Sequence, residues 1–279
     1  MLSLQFNNKN NQGAPINIEE VENASTGVVE ETVKLDNSNI IRNISFDQSE
    51  ILWNIMQLYN NGEPFEADMT ASELKFYGKR PGYNYEIPTP KILMDVCPLR
   101  DDVIKITPFQ RLPLEENSIK SLVFDPPFVI SPRTCKSMLE DKKGSSMIAK
   151  RFASFYPVQQ LYTNYAFWAL EAYRVLDDKG IFVVKTQSTI SGGINHSSEE
   201  WMFMCAYKAG FYCIDKFILE AKARLISAGK YKKQVHARRY TSVFYVFQKD
   251  DRIAKKFNYI DMIKDVDYEH LEGMVWEEK

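Results

Sequence analysis

The run Ser121-Leu122-Val123-Phe124, followed at once by Asp125-Pro126-Pro127-Phe128, joins a strand-sized apolar stretch to a stiff, polar exit. An unbroken apolar run of this length is expected of a strand covered on both faces, as in a parallel sheet between helices. The two prolines fix φ and remove two N–H donors, so the carbonyl groups of the loop stay available as acceptors. One carboxylate and one aromatic face stand beside them. Together they suit a flat group bearing an exocyclic NH₂: Asp125 and the Pro126 carbonyl each accept one amino hydrogen, and Phe128 stacks on the ring. Taken alone, Asp-Pro-Pro is also readable as a rigid turn and nothing more.

Outward from this point, short apolar runs alternate with helical periodicity. Further strands are expected at Pro64–Asp68, Ile92–Val96, Val103–Thr107, Gly180–Thr186, Phe211–Leu219 and Ser242–Gln248. A helix starts near Asp47, a suitable N-cap, sets Ile51, Leu52, Ile55, Met56 and Leu58 on one face, and stops at Asn60-Asn61-Gly62. A second repeats Leu161, Tyr165, Trp168, Ala169, Ala172 and Leu176 at helical spacing, and residues 177–180 break it. A third opens at Ser197 with Glu200 three residues on, a capping-box pattern, and ends at Gly210. The alternation indicates an α/β fold with an open, mostly parallel sheet, whose ligands belong at the carboxyl ends of the strands.

Composition narrows the class of protein further. The 279 residues are 44% hydrophobic and 26% charged, within the globular range, which excludes collagen-like, coiled-coil and wholly disordered chains. No apolar run approaches the ~20 residues of a membrane helix, and the first residues lack the pattern of a secretory signal. Four cysteines without a CxxC pair do not make a disulfide scaffold, so a reduced, cytoplasmic protein is expected. Three histidines and scattered cysteines give no metal-site spacing. The net charge of −2 conceals an asymmetry: residues 1–50 sum to −5, residues 250–279 to −4, and residues 51–249 to +7. The middle of the chain therefore suits a polyanionic partner although the whole does not.

Asp125-Pro126-Pro127-Phe128 at a strand end resembles the catalytic motif of S-adenosylmethionine-dependent amino-methyltransferases, which methylate adenine N6 or cytosine N4 in DNA. The stretch from Asp102 through Leu112-Pro-Leu-Glu-Glu-Asn-Ser to the motif is similar to the third and fourth strands of that fold. The similarity is to compact phage and bacterial DNA methylases and covers residues 46–249. It implies a Rossmann-like class I methyltransferase fold, a seven-stranded, mostly parallel sheet whose last strand is antiparallel. It also implies S-adenosylmethionine as cofactor, with Asp125, Pro126, Pro127 and Phe128 as the catalytic group. Asp68 and Thr70 would meet the amino-acid end of the cofactor and Asp95 its ribose. For Asp68 a helix N-cap role is the alternative. The family's glycine-rich turn after the first strand is missing, for Phe65–Ser72 contains no glycine. Lys185 and Gln187, closing the fifth strand, are base-pocket candidates, and the loop around Gly192-Gly193 lines the same pocket.

Two basic segments fit a nucleic acid. Residues 221–240 hold seven lysines and arginines and no acid; Arg224, Lys232, Lys233, His236, Arg238 and Arg239 are the candidate contacts, with a solvated loop as the alternative. Residues 131–151, directly after the motif, contain Arg133 and Lys136 and read as a lid over the target base. The function expected is methyl transfer to a flipped base in DNA, adenine N6 before cytosine N4, with RNA also open. The alternative is a nucleic-acid-binding protein that has lost the cofactor, alone or as the inactive half of a pair. Residues 1–45 are expected to be a poorly ordered arm and 250–279 an acidic extension. The protein would be a monomer or homodimer, with a heterodimer open.

Overall fold

The computed structural model describes residues 18–22, 29–33, 40–79, 86–130, 158–222 and 234–256. The chain divides into two units, residues 1–42 with 79–86 and residues 43–78 with 87–279. In the first, Ile18–Glu22 (β1) and Val29–Val33 (β2) pair antiparallel, with Ile18 opposite Val33. This ladder falls within the stretch expected to be a poorly ordered arm.

From there the chain runs through Ile44–Ser45 (β3), helix Gln48–Tyr59 (α1) and Ala67–Asp68 (β4). Gly78–Lys79 (β5) pairs with Glu86–Ile87 (β6). Then come Ile92–Asp95 (β7), Ile104–Lys105 (β8), Ile119–Phe124 (β9), helix Val158–Val175 (α2) and Leu176–Thr186 (β10). Thr189–Ser191 (β11) and Ile194–His196 (β12) form a hairpin, followed by helix Ser198–Ala209 (α3). Phe211–Glu220 (β13), Thr241–Lys249 (β14) and helix Asp251–Lys256 (α4) complete the described chain.

The main sheet has eight strands in the order β3-β13-β14-β10-β9-β4-β7-β8. Strand β14 is antiparallel to both neighbours, and every other described pairing in the sheet is parallel. Seven of the strands meet the sequence expectation, the antiparallel last strand included. The eighth, β3, is an addition: the Ile218 N–H donates to the Asn43 carbonyl at 2.6 Å, and Asn43 Nδ2 donates to the Lys216 carbonyl at 3.3 Å. It occupies part of the β13 edge that would otherwise present unpaired backbone groups. Connections leave β4 toward β7 and β8, whereas those after β9 run the opposite way. The boundary between β4 and β9 is thus the switch point, where an open α/β sheet forms a crevice at its carboxyl edge.

Both faces of the sheet are covered. Leu122 and Phe124, Phe182 and Val184, and Val243, Tyr245 and Phe247 join Tyr165, Ala169 and Ala172 of α2 and Met202 and Ala206 of α3 in one core cluster. The alternate residues Val123, Val183, Phe244 and Val246 are equally buried, as strand periodicity requires of a sheet with two covered faces. On that side α1 buries Ile51, Leu52, Ile55 and Met56 to within 1% of zero exposure. Each such side chain stabilises the fold by about 1.5–3 kcal/mol. Asp47 caps α1 by accepting the Ser49 N–H at 2.8 Å. Gly210 ends α3 in the left-handed region at φ 114°, where a Cβ would lie 2.8 Å from the Tyr173 ring.

Two local expectations change. The capping box at Ser197 does not form. Ser197 Oγ instead accepts from Asn195 Nδ2 at 3.2 Å, while Glu199 and Glu200 reach back to the backbone N–H and hydroxyl of Ser188. The hairpin before the helix competes for the capping groups and takes them. Residues 177–180 do interrupt regular structure, but as an irregularity inside β10, whose register to β9 shifts between Leu176 and Ile181.

Candidate active site

Strands β4, β9 and β10 end side by side, which brings residues far apart in sequence into one hydrogen-bonded group. Val184 is paired with Phe124, so the next residues lie side by side, Asp125 just past the end of β9 and Lys185 still paired with Phe244 of β14. Lys185 Nζ lies 3.1 Å from Asp125 Oδ2, with side-chain exposures of 14% and 26%. The same ammonium donates to Gln48 Oε1 of α1 at 3.3 Å and lies over the rings of Phe76 (5.2 Å) and Phe244 (5.9 Å). Asp125 is also held through its backbone, its N–H donating to Thr70 Oγ1 at 2.7 Å.

Thr70 in turn donates its hydroxyl to Asp68 Oδ1 at 3.1 Å, and its own N–H donates to the same oxygen at 2.7 Å. The other oxygen of Asp68 accepts the Tyr77 hydroxyl at 2.6 Å. Asp68 is 1% exposed, and burial pushes its carboxyl up to about 7; the bonds from Tyr77 and Thr70 oppose the shift and the charge of Asp125 adds to it. Burial likewise drives the Tyr77 hydroxyl well above its ordinary value, so it stays a donor. A continuous chain, Tyr77–Asp68–Thr70–Asp125, therefore links the turn after β4 to the motif after β9. Because Asp68 is buried beneath these partners, contact with a ligand would require one of them to move.

The motif loop is braced from below. Tyr165, fully buried in α2, donates its hydroxyl to the Pro127 carbonyl at 3.2 Å and lies 3.3 Å from Thr186 Oγ1. Thr189 Oγ1 donates to the Phe128 carbonyl at 3.4 Å. Among the described residues no donor is bonded to the Pro126 carbonyl. The half-buried Phe128 ring packs against no other ring among them. One acceptor and one aromatic face are thus left beside the Asp125 carboxylate.

On the β7 side, Asp95 accepts the Ser72 N–H at 3.0 Å and the Cys97 N–H at 2.7 Å. Each oxygen keeps acceptor capacity, since an ionised carboxylate offers about four lone-pair positions. The turn that delivers Ser72 contains two non-glycine residues in the left-handed region, Ser72 at φ 43° and Leu74 at φ 56°. The backbone shape that glycine adopts freely is present here without glycine. Residues 107 and 108 after β8 lead to Phe109, also left-handed at φ 62°, whose ring meets Phe167 at 5.5 Å.

Of the remaining candidates, Gln187 is 3% exposed and donates to the Thr241 carbonyl, tying the end of β10 to the start of β14. His236, Arg238 and Arg239 lie on the exposed stretch before β14, and Arg239 donates to Asn195 Oδ1 of the hairpin at 2.8 Å. Arg133, Lys136, Arg224, Lys232 and Lys233 lie outside the described residues. The helical periodicity of residues 155–173 marked Tyr165 as core and gave no sign of its hydroxyl bond to the motif. Tyr77 carried no signal in the sequence at all. Two shallow hollows, around Lys249 and Asp250 and around Arg111 and Arg174, sit at the opposite, amino-terminal edge of β9 and β10.

No family model and no curated protein match the chain. Solved structures do resemble it. TTHA0409 of Thermus thermophilus, described as a candidate DNA modification methylase and also solved with S-adenosyl-L-methionine, is 12% identical over 49% of this chain and 47% of its own, at a TM-score of 0.33. The cytosine-N4-specific PvuII DNA methyltransferase is 16% identical over 50% and 45%, at 0.36. TYW2 of M. jannaschii, solved with AdoMet, is 12% identical over 85% and 89%, at 0.33. The matches to the first two span about half of those proteins' length.

Proposed function

We propose that this chain transfers a methyl group from S-adenosylmethionine to the exocyclic amino group of a base swung out of DNA, with adenine N6 as the acceptor. What supports the reading most is the group of residues gathered at the carboxyl ends of β4, β9 and β10, beside the β4/β9 switch point. There a carboxylate fixed through both its backbone and its side chain stands beside a proline carbonyl that no donor reaches, and an aromatic ring that meets no other ring, among the described residues.

Asp95 fits the cofactor: a half-buried carboxylate with spare acceptor capacity closes β7, and the Ser72–Leu74 turn beside it is held in shape by the Ser72 N–H to Asp95. The cofactor would supply an electrophilic methyl group on a positively charged sulfur. The chain's own residues supply the rest. An adenine amino group is a weak nucleophile because its lone pair is delocalised into the ring. Asp125 Oδ1 and the Pro126 carbonyl would accept its two hydrogens and hold the nitrogen for attack, while Phe128 stacks on the ring. As positive charge develops on nitrogen these acceptors stabilise it more than they stabilise the neutral base, which is what lowers the barrier. The Asp125 carboxylate, already accepting an amino hydrogen, would also take the proton released afterwards. Extruding the base costs a few kcal/mol, which stacking on Phe128 offsets in part.

The glycine-free turn supports a second reading, a nucleic-acid-binding protein without methyl transfer. Titration calorimetry with S-adenosylmethionine, followed by transfer of a tritiated methyl group to genomic DNA and base analysis of the product, separates the two. Cofactor binding with label in N6-methyladenine is expected. Label in N4-methylcytosine would correct the acceptor, and no cofactor binding at millimolar concentration would overturn the reading.

A further inference from the structure

The β11–β12 hairpin has no part in the chemistry above, yet it stands beside it. It leaves the sheet two residues after β10, and its first residue, Thr189, bonds the carbonyl of Phe128. Its strands pair Thr189 with His196, Ile190 with Asn195 and Ser191 with Ile194. Gly192 and Gly193 turn it with φ of 60° and 80°, the two left-handed residues that match the twist of a two-residue hairpin. A Cβ built on either glycine would meet no atom of the described residues within 4 Å, so the tip stands clear of them. At that tip Ile194 is 62% exposed, a large aliphatic group with no local reason to face water.

The surroundings are charged in one sense. Arg239 braces the hairpin through Asn195, and Arg238 and His236 lie exposed on the same stretch before β14. No acidic residue occurs between Thr186 and Ser198 or between Gln234 and Tyr240. The carboxylates next along the chain, Glu199 and Glu200, are turned onto Ser188 at the hairpin's base. A protruding apolar tip on a cationic collar fits a polyanion with stacked apolar planes in its interior. Proteins that open duplex DNA insert such aliphatic wedges between base steps.

We infer that the hairpin tip, with Ile194 at its end, is a wedge that enters duplex DNA and fills the gap left by the extruded base. The inference rests on the base-extrusion reading above. It assigns Ile194 a positioning role: the side chain touches neither cofactor nor target amino group, but holds the duplex open.

A duplex with one abasic position offers a ready-made gap and makes the test independent of the unknown target sequence. Fluorescence polarisation of the full chain with a mixed-sequence duplex, intact or abasic at its centre, is the assay. The wild-type chain should bind the abasic duplex about tenfold more tightly, Ile194→Ala should lose that preference, and Ile194→Leu should keep it, since one well-packed aliphatic group amounts to about a factor of ten. Binding to the single strand should be the same for all three. Ile194 is exposed, so an unchanged thermal melt of the variants is expected and excludes a folding defect. A wild-type chain without the preference, or an alanine variant that retains it, would overturn the wedge. Methyl transfer is measured separately. Loss of the preference without any transfer by the wild type leaves the wedge standing and removes the enzyme, and transfer without a preference does the reverse.

Discussion

The two walls of the β4/β9 switch point are built on opposite plans. On the β9–β10 wall, two prolines and the braces from Tyr165 and Thr189 hold a loop whose Pro126 carbonyl is left open and whose aspartate is paired with a lysine. On the β4–β7 wall, Asp68 accepts from Thr70 and Tyr77 and Asp95 accepts from Ser72 and Cys97, and the turn after β4 holds left-handed residues that are not glycine. The first wall is stiff and leaves an acceptor open; on the second, Asp68 is turned inward onto its partners, Asp95 keeps spare acceptor capacity, and the turn between them stores strain. Rigidity with open valences is what a site needs where charge develops. A turn stitched together by its own carboxylates can hold a shape with no ligand present.

The largest effect should come from the outward-facing wall. Asp125→Ala removes the charged acceptor while leaving the Asp125 N–H to Thr70 bond in place, so methyl transfer should fall by about 10²–10³-fold or more. Cofactor binding by calorimetry should stay within a factor of a few. Transfer at the wild-type rate would show that the open acceptors are not where the chemistry occurs.

Next comes the inward wall. Asp68 titrates near 3.8 when unfolded and near 7 when folded, so between these values the folded chain holds a proton that unfolding releases. Stability from this group is therefore greatest below pH ~4, declines as pH rises toward 7, and stays low above it. Asp68→Asn has no proton to release and keeps an oxygen for Thr70. At pH 8 it should be more stable than the parent by on the order of a few kcal/mol, and at pH 4 nearly equal. Urea denaturation at the two pH values reads the difference directly. A parent and variant that track each other across the range would mean that Asp68 is ionised at little cost.

The Lys185–Asp125 pair joins the motif to α1 through Gln48, and both side chains are partly shielded. Lys185→Met should cost about 1–2 kcal/mol, less than a fully buried pair because solvent still reaches Asp125. A double-mutant cycle with Asp125→Asn should return a coupling near 1 kcal/mol. Zero coupling would mean that the aspartate is fixed by Thr70 alone.

How much of this the sequence revealed depended on the kind of signal. Apolar runs fixed β9 and β10, whose pairing then put Lys185 beside Asp125; the residues themselves marked Asp125 and, more weakly, Lys185. The antiparallel strand β14 and the ends of α1 were equally legible, because Asp47 and Asn60-Asn61-Gly62 act locally. What was not legible acts at long range. Periodicity gives the direction of a Cβ, and so placed Tyr165 in the core, but it says nothing of a hydroxyl that reaches Pro127, 38 residues away in sequence. Tyr77 holds Asp68 only because the turn folds back on itself. Strand β3 exists because β13 has an edge to cover, a fact about the sheet and not about residues 44–45.

The smallest effect tests whether the strain of the inward wall is real. Ser72 and Leu74 both occupy the left-handed region, which costs an L-residue roughly 1–2 kcal/mol. Ser72 is exposed and contributes its N–H to Asp95, a bond that glycine retains. Ser72→Gly should therefore stabilise the chain by about 0.5–1 kcal/mol, the strain relieved less the entropy that glycine adds to the unfolded state. Leu74 differs, because it packs against the cluster of Ala71, Leu93 and Val103. Leu74→Gly should gain the same relief but lose that contact, and come out neutral or destabilising. A thermal melt of the two variants distinguishes strain from packing. If both destabilise alike, the turn is held by its side chains, and the contrast between the two walls is one of packing, with no strain stored in the second.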